Sequence, residues 1–392
     1  MEKSKRIQSI DILRGIVMII MALDHTRDFF HHSAMTADPL APASTTYPLF
    51  FTRWITHFCA PVFVMLSGIS IYISSQNKTR AEASASMFKR GLWLIIAEIT
   101  LVTFGITFNP FFNIIILQVI WAIGFSMILL SIISRISFRA VLFSGIILLI
   151  GHNTLDYVAA PASGVSSAIW NIFFRAFGSA IPISSSHIIL VLYAILPWTA
   201  AMFIGYALGY WYNAGYSASR RRKNLLITGS VMTIAFILLR FINGYGDPSP
   251  RLTNGSFPHD LFSFLNTSKY PPSLMYLCMT LGPSLILLSI WEKTNTAWSR
   301  FVSVYGKVPF FYYILHFYLI HLFLIILFFS SGYGVKDISS PGLPFYFRPL
   351  NFGYDLWIVY VLWIVIVLLL YKPSQWFGRY KARNAYWWLK YI

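Results

Sequence analysis

The stretch RGIVMIIMALDHTRDFFHH, residues 14 to 32, opens at an arginine, runs through an apolar middle and closes in Asp24, His25, Arg27, Asp28, His31 and His32. A histidine takes up and releases a proton near neutral pH. An imidazole among carboxylates and guanidinium groups is therefore equipped for general acid–base or nucleophilic catalysis. A second stretch, FFTRWITHFCAPVFVMLSGISIY at 50 to 72, offers Arg53 and His57 one helical turn apart, so both can face one pocket. His25 ranks first as a catalytic group and His57 second, with Asp24 or Asp28 to fix the tautomer and charge of His25. Arg27 and Arg53 stand by as partners or substrate-binding cations.

The elements that must position these residues are membrane helices. The chain has 392 residues, of which 57% are hydrophobic and 11% charged, against about 45–50% and 25% in ordinary soluble domains. This composition makes an all-α polytopic membrane protein. About ten segments approach the ~20 residues that cross the hydrocarbon core. They run near 10–30, 54–75, 91–109, 112–133, 141–158, 188–210, 225–243, 273–291, 308–330 and 353–371. Basic clusters fall in alternate gaps: Lys3, Lys5 and Arg6; Lys78, Arg80, Lys89 and Arg90; Arg135 and Arg139; Arg220 to Lys223; Lys293, Arg300 and Lys307; and the Lys372 to Lys390 group. That places 21 of the 30 Lys and Arg on one side, which predicts cytoplasmic termini.

The net charge of +17 would suggest nucleic acid in a soluble protein, but cations lying between hydrophobic spans carry topology instead. No small-residue cleavage site follows the first segment, so it is expected to remain as the first helix. Cys59 and Cys278 have no metal or redox spacing and read as packing residues. The long gaps near 159–187, 244–272 and 331–352 are candidates for binding loops or lids. No repeat or appended soluble domain is visible, and residues 1–392 read as one membrane domain.

From Arg14 to His25 is eleven residues, about three turns and roughly 16 Å along one helix face. Asp11 and Asp28 fall within about 40° of that face. A charged side chain near the bilayer centre costs roughly 2.5–3.5 kcal/mol on insertion scales, so such a line points to a polar cavity. In the plainer alternative Arg14 snorkels, Asp11 pairs with it, and Asp24 to His32 mark the end of the span. Gln118 is expected mid-span in the fourth helix, where it needs a hydrogen-bond partner. Lys269 and Tyr270, before the prolines at 271 and 272, are candidate acceptor- or donor-binding residues or simple interface anchors. His316 and His321 are roughly 140° apart on a helix and so form no i,i+4 metal pair; His316 is the better candidate to face a cavity.

RIQSIDILRGIVMIIMALDHTRDFF (6–30), with FTRWITHFCAPVFVMLSGIS (51–70), resembles the start of bacterial membrane proteins related to heparan-alpha-glucosaminide N-acetyltransferase. More broadly it resembles the transmembrane acyltransferase superfamily, whose acyltransferase-3 branch shows an arginine, ten residues, then a histidine. Arg14 and His25 match that spacing. The likeness continues through ILQVIWAIG (116–124), LNTSKYPPSLMYLCMTLGP (265–283) and YGKVPFFYYILHFYLIH (305–321). In the heparan enzyme itself an asparagine stands at the position of His25, and its proposed catalytic histidine aligns near Tyr47.

The resemblance implies transfer of an acyl group, usually acetyl, from cytoplasmic acetyl-CoA to a carbohydrate or amino-sugar acceptor at the other face. It implies an integral protein of a bacterial inner membrane, with Arg14, Asp11 and Gln118 toward the donor and no metal or nucleic acid involved. Lys269, Tyr270 and His316 would lie toward the acceptor. A transporter or flippase with a polar intramembrane pathway, and a noncatalytic binding protein, are the alternatives; the acceptor and oligomeric state are left open.

Overall fold

The computed structural model describes residues 7–42, 44–176, 178–340 and 343–392. The cluster Lys3, Lys5 and Arg6 lies outside them. The chain is an all-α polytopic membrane protein, and eight helices among the described residues are long and apolar enough to cross a bilayer. By contacts the chain falls into two compact units that interleave in sequence. One holds residues up to Cys59, Leu101–Phe112 and Ile290–Ile392; the other holds Ala60–Thr100 and Asn113–Ser289.

The first unit contains α1 (Gln8–Phe30) and α2 (Tyr47–Thr56). α3 (Cys59–Ser75) and α4 (Arg80–Ala97) lead into the second unit, and α5 (Thr103–Thr107) returns to the first. The charges of α1 match the helix dipole, with Asp11 in the first turn and Arg27 in the last. α2 is capped by Thr46, whose hydroxyl accepts from the Leu49 N–H. The expected second span, 54–75, is interrupted at His57 and Phe58. Pro61 supplies no N–H for the His57 carbonyl, so the ladder opens one turn before the proline. Both cysteines are free and buried, and Cys59 donates to the Val17 carbonyl at 3.4 Å.

Two expected spans start differently from their assignment. β1 (Ile114–Leu117) precedes α6 (Val119–Ile136), so the 112–133 segment begins as a strand. α7 (Phe138–Gly151) and α8 (Gly164–Trp170) follow, then β2 (Ser179–Pro182) and β3 (Ile188–Val191), so the 188–210 segment also opens as a strand before α9 (Ile195–Leu208). The three strands form one sheet in the order β1, β3, β2, with Ile114 facing Ile188 in the parallel pair and Ser179 facing Val191 in the antiparallel pair. Leu117, Ala176, Val191 and Ala194 form its buried cluster. α10 (Ala218–Ile242), α11 (Phe257–Leu265) and α12 (Leu274–Ile290) complete the second unit.

α13 (Ala297–Gly306), α14 (Pro309–Ser330) and α15 (Leu356–Arg383) finish the first unit. α1 and α13 touch backbone to backbone. A Cβ on Gly15 would stand 2.0 Å from the Val302 carbonyl oxygen, and one on Gly306 would stand 2.0 Å from that of Asp11. α15 ties to α1 through the Trp363 indole, which donates to the Ile19 carbonyl at 2.8 Å.

Candidate active site

In the first unit the N-terminal half of α1 packs on α13, and its C-terminal half runs parallel to α14. The Arg14 guanidinium donates to the Gly306 carbonyl at 3.2 Å. Three turns further on, His25 Nδ1 lies 2.7 Å from His316 Nε2. A turn beyond that, the edge of Phe29 meets the His321 ring at 4.8 Å between centroids. His25 is half-buried and His316 fully buried. The Phe317 ring stacks on His25 at 4.4 Å, fixing its plane as well as its hydrogen bond.

The carboxylates are placed differently from the sequence expectation. Asp24 accepts from the Arg53 guanidinium at 2.5 and 2.6 Å and faces Arg27 at 3.5 Å. Asp28 pairs closely with Arg27. At Nδ1 of His25, where Asp24 or Asp28 was expected, stands the imidazole of His316. The physical reason is angular: Asp24, Arg27 and Asp28 share one stripe of α1 at i, i+3 and i+4, and His25 sits about 100° round the helix from Asp24. Arg27 and Arg53 are thus ion-paired within the protein. His57 is buried at the C-terminal cap of α2, one turn beyond Arg53. Asp11 and Arg14 pair at 3.4 Å.

The second unit holds the other three residues singled out. Gln118 is the N-cap residue of α6 and not mid-span. Its backbone N–H donates at 2.5 Å to Glu98, a fully buried carboxylate that serves as the cap α6 lacks from its own side chains. Lys269 is buried, its ammonium 5.2 Å above the Tyr270 ring, and Tyr270 meets Tyr193 edge-on at 5.5 Å. Asp247 underpins that loop, accepting from Ser268 N–H at 2.9 Å and Ser273 Oγ at 2.6 Å. Burial raises the Asp247 carboxyl above its ordinary range. Arg240, near the end of α10, is buried and donates to the carbonyls of Ser249, Ser263, Phe264 and Asn266.

Beyond the predicted site residues the first unit holds Tyr312 and Arg348, which the sequence reading does not name, and His321, which it ranks behind His316. Tyr312, one turn before His316, stacks on it at 5.8 Å with planes 6° apart, and its buried hydroxyl has no hydrogen-bond partner among the described residues. The i,i+4 spacing within YYILH is the clue that could have found it. His321 is fully buried and stacks on Phe108 at 4.2 Å; no hydrogen bond of normal geometry reaches either ring nitrogen among the described residues. Arg348 comes from the 331–352 gap. It is fully buried and donates to the carbonyls of His31 at 2.9 Å, Pro349 at 2.8 Å and Phe352 at 2.5 Å. A buried cation on a carbonyl after the last turn of α1 complements the negative end of the helix dipole.

His31 lies in this junction just beyond α1. Burial first, then the charges of His32 and Arg27, lower its pKa from 6.5 to about 4. The folded state therefore holds His31 neutral while the unfolded chain takes up a proton. Stability is lost as pH falls from 6.5 toward 4 and levels off below. Melting temperatures between pH 7.5 and 4.5 should fall more steeply for the wild type than for His31→Gln; parallel curves would remove His31 as a source of acid lability.

A bundle of long apolar helices, with an imidazole pair set beside an ion-paired helix end, defines an integral membrane protein with acid–base capacity. Residues 6–239, more than half of the chain, match the family described as heparan-alpha-glucosaminide N-acetyltransferase, catalytic, and the chain belongs to that family. It is a transmembrane acetyltransferase. The matched stretch includes Asp11 to His57 and Gln118, whereas Lys269, Tyr270 and His316 lie beyond it. No curated protein is significantly similar to the chain.

Proposed function

We propose that the protein moves an acetyl group from cytoplasmic acetyl-CoA to a hydroxyl or amine of a sugar or amino sugar at the opposite face of a bacterial inner membrane, with His25 as the base. The observation that carries this reading is the 2.7 Å contact between half-buried His25 Nδ1 and fully buried His316 Nε2. One proton lies on that axis. With it on His25, Nε2 of His25 is the basic nitrogen. That nitrogen takes the acceptor's proton as the acceptor oxygen or nitrogen attacks the thioester carbonyl carbon. The carbon–sulfur bond breaks, and the proton passes from His25 to the departing CoA thiolate. His316 accepts that N–H and holds the ring in that tautomer, the orienting part that the carboxylate plays in a Ser-His-Asp triad.

Arg14, about 16 Å down α1, is the cation for the anionic or amide portion of the donor, a span that suits a pantetheine arm. Asp11 orients Arg14. Arg27 and Arg53 serve the acceptor, with His57 as a second histidine and Asp24 and Asp28 setting the field around His25. The reading treats residues 1–392 as one domain of ten spans. To the eight long apolar helices it adds α1, which is too charged to qualify by composition, and α9, which is short.

The test is purified protein in lipid with acetyl-labelled acetyl-CoA and a panel of amino sugars and neutral glycans. Acceptor-dependent appearance of labelled sugar with release of free CoA is the expected result. Absence of transfer to every sugar while another acceptor class is labelled would overturn the acceptor assignment, and CoA-independent sugar movement would overturn the donor assignment.

A further inference from the structure

In the second unit α4 and α6 are antiparallel. Gly91 and Gly124 press the two backbones together, each lying where the other's carbonyl leaves no room for a Cβ, at 2.5 and 2.7 Å. Seven residues away on each helix, Ser84 Oγ donates to the Ser131 carbonyl at 2.9 Å. Beside this second contact a cavity of about 500 Å³ opens, lined by Ala81, Ala85, Phe88 and Lys89 along one stripe of α4 and by Ile132 and Arg135 on α6. The small side chains at 81 and 85 make the hollow. Phe88 and Ile132, 46% and 55% exposed on helices apolar enough to span a bilayer, form its apolar walls.

The cations give this hollow its chemistry. Helical side chains lean toward the N-terminus of their own helix. In an antiparallel pair Lys89 and Arg135 therefore lean toward one another along the groove. No acidic residue lines it. The acid nearest in sequence, Glu82, is committed to the α4 cap, where its Oε2 accepts from the Thr79 N–H and hydroxyl. Ser84 and Ser131 turn their hydroxyls to backbone carbonyls. Neither Lys89 nor Arg135 has a hydrogen bond or ion pair with another described residue. Two converging cations over apolar walls, at the basic end of a membrane helix pair, are complementary to a phosphate carried on acyl chains.

We propose that this groove between α4 and α6 is a binding site for an anionic phospholipid, with the headgroup phosphate between Lys89 and Arg135 and an acyl chain along Phe88 and Ile132. The inference is independent of the acetyl-transfer reading.

The test is native mass spectrometry of the whole protein after equilibration with vesicles of equal phosphatidylglycerol and phosphatidylcholine. The wild type should retain phosphatidylglycerol selectively. Lys89→Gln should cut retention about fivefold and Lys89→Gln/Arg135→Gln about thirtyfold, at the strength typical of a basic side chain at a charged membrane surface. Lys78→Gln, which removes the same charge outside the groove, should leave it unchanged. Ala85→Phe keeps both charges, fills the hollow and should also lose the lipid, which guards against a double variant that misfolds. Equal retention of both lipids, wild-type retention by the double variant or by Ala85→Phe, or displacement by inorganic phosphate would overturn the proposal.

Discussion

His25→Gln is expected to lower acetyl transfer by about 10²–10⁴-fold, the range that a positioned acid–base group contributes, with little change in melting temperature. The fully buried His316 keeps a hydrogen-bonding neighbour in the glutamine amide, so the packing of α1 on α14 survives while the exchangeable proton is removed. His25→Ala should lose the same activity and also about 1–3 kcal/mol of stability, because His316 Nε2 is then buried without its partner. His316→Gln separates positioning from chemistry. It keeps an acceptor at Nδ1 of His25 but removes the second imidazole, and should flatten the pH dependence of turnover as well as lowering its ceiling. Transfer of labelled acetyl from acetyl-CoA by the three variants in the same lipid decides the matter; wild-type turnover by His25→Gln would take His25 out of the reaction.

Asp24→Leu is expected to be the most damaging of the ion-pair substitutions, at about 3 kcal/mol, the low end for breaking a buried pair. Asp24 receives Arg53 at 2.5 Å and faces Arg27, with side-chain exposures of 9% for Asp24, 13% for Arg53 and 4% for Arg27. Without that carboxylate the Arg53 cation is left in a mostly dry setting, while Arg27 retains Asp28. The double variant Asp24→Leu/Arg53→Leu removes the uncompensated charge with its partner and should recover most of the loss. Thermal unfolding of the single and double variants in one detergent measures the coupling. Equal destabilisation by Asp24→Leu and the double variant would show that this pair does not stabilise the fold.

Much of this architecture is legible in the chain because a bilayer demands long apolar segments with cations between them. The limits are physical too. IIIL at 114–117 and IILV at 188–191 are short apolar runs whose lack of alternation leaves strand and helix indistinguishable, and their β-branched content was the arbiter available. Once 114–117 pairs as a strand, Gln118 must become a helix cap. α1 is the reverse case: its charges lower its hydropathy below that of the other long helices, and the same charges mark it in the sequence as the helix that carries the candidate site. At the site, the Asp11–Arg14 pair follows from i,i+3 spacing. The pairing of His25 with His316 spans 291 positions, and no periodicity within one helix encodes a contact between two. Arg348, from a loop, reached the end of α1 for the same reason unseen.

The glycine contact between α1 and α13 has a mechanical consequence. With the Val302 and Asp11 carbonyls seated where Gly15 and Gly306 lack side chains, lengthwise sliding of one helix past the other drives a carbonyl into a neighbouring residue's Cβ. α1 is axially locked, and the Arg14-to-His25 spacing acts as a fixed rule whose zero mark is that crossing. Any admission of ligands must then come from side-chain rotation, tilting or loop displacement, with α1 as the stationary part against which those movements are made.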